Sequence, residues 1–444
     1  MSEETQVTHP RWQILLHRLV SVEPGEGSAV FWSFLYFFSL LSSYYTLRPI
    51  RDEMGIIAGI EQMQWLFTGT FIAMMLVIPL FGLITSRLQR KQFLPYVYLF
   101  FIINLLLFYL VFGSDFSLTY AARAFFIWLS VFNLFVVSIF WSFMTDLYRN
   151  EQAKRLFSFI AAGGTLGALT GPLLTALLVE RLGTSQMLLI SAGLLGVSIL
   201  CIRKLIAWQA TGAVLKTVDS KLPQEMERPM GGGILDGILL VLRSPYLLGI
   251  CLLMLLFTLL STFLYFQQAQ IVKEAVADSG ARTALFASID FAVNGLTLIL
   301  QILVTAKLIK GLGLSRVLAL IPLLLSAGFL LLALFPALPI LIGVQVMRRA
   351  GNYAVMRPAR EMLYVVLNRE EKYKAKNFID TAVYRGGDAV SSWIYTGFRS
   401  MGMSLSVIAW IAAPISLIWA WVAFRLGEKQ NQIAAQFNTP KRDE

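Results

Sequence analysis

Five arginines sit where an apolar chain should hold none: Arg348, Arg349, Arg357 and Arg360 fall in one hydrophobic segment and Arg385 in the next. An ionised side chain in hydrocarbon costs about +2.5 to +3.5 kcal/mol on insertion scales unless it faces water, a partner or a ligand. The chemistry such residues can do is anion binding. A guanidinium stays charged when desolvated and meets phosphate or carboxylate with two parallel N–H donors. On a helix of 3.6 residues per turn, Arg349, Asn352, Tyr353, Met356 and Arg360 share one stripe, Arg357 and Glu361 flank it, and Pro358 interrupts the backbone ladder. The plainer alternative for Arg357 and Arg360 is pairing with Glu361, or snorkelling to the surface. Arg385 and Asp388 stand three residues apart and can pair on their helix, where Asp380 and Tyr384 also share a face. Asp290 stands four before Asn294, with Gln301 continuing near that side, and reads as a counter-ion before a proton carrier.

The chain around these charges is built to cross a bilayer. Of its 444 residues 57% are hydrophobic and only 14% charged, and the mean hydropathy is +0.68. A soluble globule would carry about 25% charged residues. Apolar runs near the length of about 20 residues that a spanning helix needs recur along the sequence. Twelve are expected, near 28–47, 62–85, 93–113, 120–145, 156–179, 185–206, 245–267, 283–306, 316–335, 338–364, 377–398 and 403–425, which makes an all-α, twelve-span membrane protein. With both termini cytoplasmic, cytoplasmic segments hold 25 of the 37 Lys and Arg residues and outside segments seven, as the positive-inside rule demands. The net charge of +11 is then mostly topology, not a nucleic-acid surface. A bacterial inner membrane is the expected site.

The first span ends in Leu47-Arg48-Pro49-Ile50-Arg51-Asp52-Glu53, four charges in six residues. This is either a solvated outer turn or a cluster dipping into a central cavity, since Ile56, Ile57 and Ile60 resume at once. Upstream, Arg11 to Val20 mixes basic and apolar residues as an in-plane amphipathic helix does, and the opening Glu3 and Glu4 do not suit a cleaved signal. Gly163, Gly164, Gly167 and Gly171-Pro172 in the fifth span suit close helix packing.

Enzyme classes are poorly served. His9 and His17 both precede the first span, Cys201 and Cys251 fall in expected helices, and no Walker A string occurs. No metal site, catalytic triad, cofactor or ATP-driven step is therefore expected, and no catalytic residue is assigned. The expected partners are a small solute and membrane lipid, with a monomer as the expected state.

Shifting the chain by 219 residues lays Arg149-Asn150-Glu151-Gln152 on Asn368-Arg369-Glu370-Glu371, and Phe159-Ile160 on Phe378-Ile379. The expected organisation is an interfacial segment (1–27), a six-helix half (28–206), a cytoplasmic linker (207–244), a second six-helix half (245–425) and a cytoplasmic tail (426–444). Parallel halves of this kind are the architecture of the major facilitator superfamily, with solute held between them near the midplane.

Several strings resemble the ATP/ADP translocase family of plastids and intracellular bacteria. They are Leu47 to Asp52, Phe140-Trp141-Ser142-Phe143 followed by Asp146, Asn377-Phe378-Ile379-Asp380 through Arg385-Gly386-Gly387, and the Glu23-Pro24-Gly25-Glu26 turn. The resemblance implies a solute-exchanging carrier. The family's first-span lysine and aspartate correspond to Arg51 and Asp52, and Asp380, Arg385 and Gly387 match its eleventh-span motif, whose lysine is Asp388 here. Gly167-x-x-x-Gly171-Pro172 is similar to the wider superfamily's antiporter motif.

Together these residues point to a secondary transporter for an anionic organic solute, nucleotide-like or phosphorylated. Arg51, Arg349, Asn352, Arg360 and Arg385 are the expected solute contacts, and Asp52, Asp290, Glu361, Asp380 and Asp388 the counter-ion or coupling groups. The alternatives are a proton-coupled exporter of lipophilic or cationic compounds using Asp388 and Asp290, and a flippase-like lipid handler.

Overall fold

A computed structural model describes residues 23, 25–87, 90–114, 117–213 and 234–438. The expected in-plane helix from Arg11 to Val20, most of the linker and the last six residues lie outside the described residues. Every regular element described is helical. The helices are α1 (Gly27–Ile57), α2 (Met63–Arg87), α3 (Arg90–Phe112), α4 (Leu118–Leu147), α5 (Asn150–Leu182), α6 (Thr184–Ala213), α7 (Ile234–Arg243), α8 (Pro245–Ala275), α9 (Ser279–Leu303), α10 (Thr305–Leu334), α11 (Leu338–Gly351), α12 (Arg357–Leu363), α13 (Arg369–Phe378), α14 (Tyr384–Ser400) and α15 (Leu405–Asn438).

Among the described residues ten helices are long and apolar enough to cross a bilayer. The expected tenth and eleventh spans are not among them, because both carry the charges singled out above and both are broken. A widened π-turn, Asn352–Met356, separates α11 from α12, and another, Ile379–Val383, separates α13 from α14. Local chemistry explains several helix starts. Ser244 caps α8 ahead of Pro245, accepting from Leu247 N at 3.4 Å, and Asp278 caps α9 through Ala281 N at 2.7 Å. The 219-residue repeat is visible here too: α5 begins at Asn150 and α13 at Arg369, the same repeat position. In the first copy Gln152 Oε1 accepts from Arg149 N at 3.0 Å. In the second, Asn368 Oδ1 accepts from Glu371 N at 2.8 Å.

The described chain divides into two compact units, and the cuts in α1 and α2 fall at Pro49 and Pro79, where each helix loses a backbone donor. The first unit holds the rest of α1, Pro79–Phe116, Leu129–Leu147 of α4, α5 and α6. Its packing depends on glycine. A Cβ at Gly171 would lie 2.6 Å from Ser42 O and 2.8 Å from Tyr45 Cβ, and one at Gly163 would lie 2.5 Å from Phe34 O, so α5 rests directly on the α1 backbone. Hydroxyl pairs tie α1 to α6 and α3: Ser39 to Ser198 at 2.8 Å, Ser43 to Ser191 at 2.7 Å and Tyr36 to Tyr98 at 2.6 Å. Gly171→Ala is expected to cost about 1–3 kcal/mol by overpacking, seen as a lower melting temperature in detergent, whereas Gly193→Ala, where nothing lies within 4 Å, should leave it unchanged.

The second unit holds Ile50–Ile78, Ser117–Trp128 and the chain from Pro223 onward. Within it the far half of α1 and the start of α2 meet α8, α9 and α14. Trp65 packs edge-on against Trp393 at 4.9 Å, and Trp393 Nε1 donates to Thr68 Oγ1 at 3.0 Å.

Candidate functional site

All ten residues expected to form the site lie in the second unit. Arg349 of α11 meets Asp290 of α9 with Nη2 to Oδ1 at 2.5 Å, the side chains being 8% and 1% exposed. Arg360 of α12 meets Asp380 in the second π-turn at 3.3 Å, with Nη1 against Met254 Sδ of α8 at 2.6 Å. Arg385 and Asp388 of α14 approach to 3.6 Å, and the Arg385 guanidinium stands 5.2 Å from the Tyr384 ring centroid. Arg51 lies 3.6 Å from Asp52 and 3.8 Å over the Phe126 ring, while Tyr265 OH donates to Asp52 Oδ1 at 2.9 Å. Asn352 is half-buried at the start of the first π-turn.

Three sequence expectations need correction. Glu361 pairs with neither Arg357 nor Arg360. It accepts from Lys376 Nζ of α13 at 2.5 Å, which frees Arg360 for Asp380 and leaves Arg357 exposed. The stripe from Arg349 to Arg360 is not a single face. The π-turn inserts a residue, and one residue is roughly 100° of rotation, so Arg349 turns to α9 and Arg360 to the eleventh segment. The charges after Leu47 do not form a solvated turn beyond the first span either. α1 continues to Ile57 and carries them within it, Asp52 and Glu53 being buried.

Two clusters escaped sequence reasoning. Glu53, 0% exposed, takes a two-pronged bond from Arg282 of α9, Nε to Oε2 at 2.9 Å and Nη2 to Oε1 at 2.6 Å, and a third from Ser279 Oγ at 2.7 Å. Glu53 was visible in the first-span cluster, but nothing local to Arg282, 229 residues away, announces its partner. Arg348, named at the outset but given no role, donates to Ser261 Oγ at 2.8 Å and Gln345 Oε1 at 3.0 Å, and Gln345 in turn donates to Gln268 Oε1.

Buried arginine–carboxylate pairs return little stability, because desolvating both ions offsets most of their attraction. Among the charged residues just described, Arg51, Arg282, Arg348, Arg349, Arg357, Arg360, Lys376 and Arg385 outnumber Asp52, Glu53, Asp290, Glu361, Asp380 and Asp388.

Comparison with known proteins gives a consistent picture. The profile of the Major Facilitator Superfamily matches residues 27–365. The ADP,ATP carrier protein 1 of Chlamydia pneumoniae is 21% identical across 97% of this chain and 96% of its own length, and that of Chlamydia muridarum 23% identical across 94% and 90%. Among solved structures, the nucleoside transporter NupG superposes with a TM-score of 0.62 at 14% identity, covering 94% of this chain and all of that one. A bacterial homologue of the iron transporter ferroportin in its inward-facing state does so with 0.62 at 13% identity, covering 91% and 98%.

Proposed function

Since the chain belongs to the Major Facilitator Superfamily, we propose that it is a secondary active transporter moving an anionic organic solute, nucleotide-like or phosphorylated, across a bacterial inner membrane. Twelve crossings, cytoplasmic termini and alternating access between two six-helix halves complete the reading. The observation that carries it is the set of guanidinium–carboxylate pairs on the first, eighth, tenth and eleventh segments, one fully buried and three partly buried, with cations in excess. Arg349, Arg360, Arg385 and Arg51 receive the anion with Asn352 as a neutral donor, and Asp290, Asp380, Asp388, Asp52 and Glu361 hold the cationic groups when the site is empty. The distant similarity to ADP,ATP carriers supports a phosphorylated solute. The charge reversal at Asp388 argues for a solute recognised differently at that position.

The reading is tested by melting the purified protein against nucleotides, phosphorylated metabolites and carboxylates, followed by exchange assays in vesicles. One anion class is expected to raise the melting temperature of the parent by mass action and to leave Arg349→Ala and Arg385→Ala unmoved. If no anion stabilises the parent, or both variants respond as it does, the arginines are structural and the reading fails.

A further inference from the structure

The break between α11 and α12 has an identifiable cause. In a regular α-helix the carbonyl of Ala354 would accept from the backbone N–H of residue 358, but Pro358 has none. The turn widens, and the N–H of Arg357 reaches back to Asn352 O, five residues away. Tyr353 O then loses its donor as well, since a π-register would hand it to residue 358 again. Two adjacent carbonyls thus lack the intrahelical donor that residue 358 would supply, and in an apolar medium such groups need partners from elsewhere.

Both are recovered from outside the helix. Thr305 Oγ1, at the start of α10, stands 2.8 Å from Ala354 O, nearer than the 3.1 Å to its other acceptor Leu300 O, so its one proton goes to Ala354, and Gln301 Nε2, near the end of α9, donates to Tyr353 O at 3.4 Å. The same α9 supplies Asp290 to Arg349. The eighth and ninth segments thus grip the tenth just before its widened turn, at Arg349, and within it, at Tyr353–Ala354. The rotation that this turn introduces is what separates Arg349, facing Asp290, from Arg360, facing Asp380.

We infer that Thr305 and Gln301 are positioning residues: by taking the two carbonyls that Pro358 orphans, they hold the widened turn and so set the angle between Arg349 and Arg360. This rests on the transport reading for its consequence, but its geometry can be measured without a solute.

Thr305→Val keeps the shape and removes the donor, and is expected to lower the melting temperature, while Thr305→Ser retains parental behaviour. Adding Pro358→Ala to Thr305→Val supplies a backbone N–H for Ala354 O. The melting temperature should then recover while the helix closes to a regular register and turns Arg360 away from Asp380. Transport in that double variant should show KM raised about tenfold or more with kcat little changed, the signature of misplaced binding groups. Independently of transport, cysteines introduced at 360 and 380, after Cys201 and Cys251 are replaced by alanine, should be joined by a bifunctional thiol reagent whose span matches the reach of the Arg360–Asp380 pair in an otherwise parental chain, and not with Thr305→Val and Pro358→Ala added. Parental stability of Thr305→Val, or retained cross-linking once stability has recovered, would overturn the inference. Lost cross-linking in a protein that transports no anion would uphold the positioning role and defeat the transport reading instead.

Discussion

Asp290→Ala is expected to cost about 3–5 kcal/mol of stability and to abolish transport, because it strips the countercharge from a guanidinium that is only 8% exposed. Arg349 has little else to turn to, since its Nε is already buried without an acceptor. Asp290→Asn should be milder in stability, because the amide oxygen can still accept from Nη2. The informative comparison adds Arg349→Met to Asp290→Ala. Removing both charges and filling the space with an apolar chain should restore the melting temperature, since the isolated pair contributes little net stability. Transport should stay absent, because the anion contact has gone. A parental melting temperature in Asp290→Ala would mean that Arg349 finds water or another carboxylate, and the buried-pair account would fall.

Glu53→Ala is the second large effect. Glu53 is completely buried and accepts three hydrogen bonds, two from Arg282 and one from Ser279, so its removal should also cost about 3–5 kcal/mol. This pair differs from the first in what it joins. It ties the far half of the first helix to the start of the eighth segment, which the proposed reading assigns to different halves. On that reading the tie would part once per cycle. Glu53→Leu with Arg282→Leu is therefore expected to regain stability yet change the maximal rate, with KM near the parental value. A shift confined to KM would place Glu53 among the solute contacts instead of at a moving closure.

The two substitutions mark where the sequence was legible and where it was not. The arginines in apolar segments were readable because an ion in an apolar run is conspicuous whatever the fold. That Asp290 would meet a cation was readable in kind, since a buried aspartate needs one. Its partner was not, because Arg349 is 59 residues away and contact depends on how α9 lies against α11. Glu361 shows the opposite failure. Proximity along one helix made it the natural mate for Arg360, yet Lys376 of α13 takes it.

By itself the sequence determined the membrane class, the placement of most helices and the apolar segments that carry the charges. These follow from hydrophobic run length and residue type, both of which are read along the chain itself. Only the tertiary structure decided which carboxylate neutralises which arginine, that Glu53 meets Arg282, and that Arg349 and Arg360 point to different elements. The first two depend on distances between segments far apart in the chain. The third depends on a widened turn that Pro358 makes possible and that Gln301 and Thr305, on neighbouring segments, complete by supplying the missing donors.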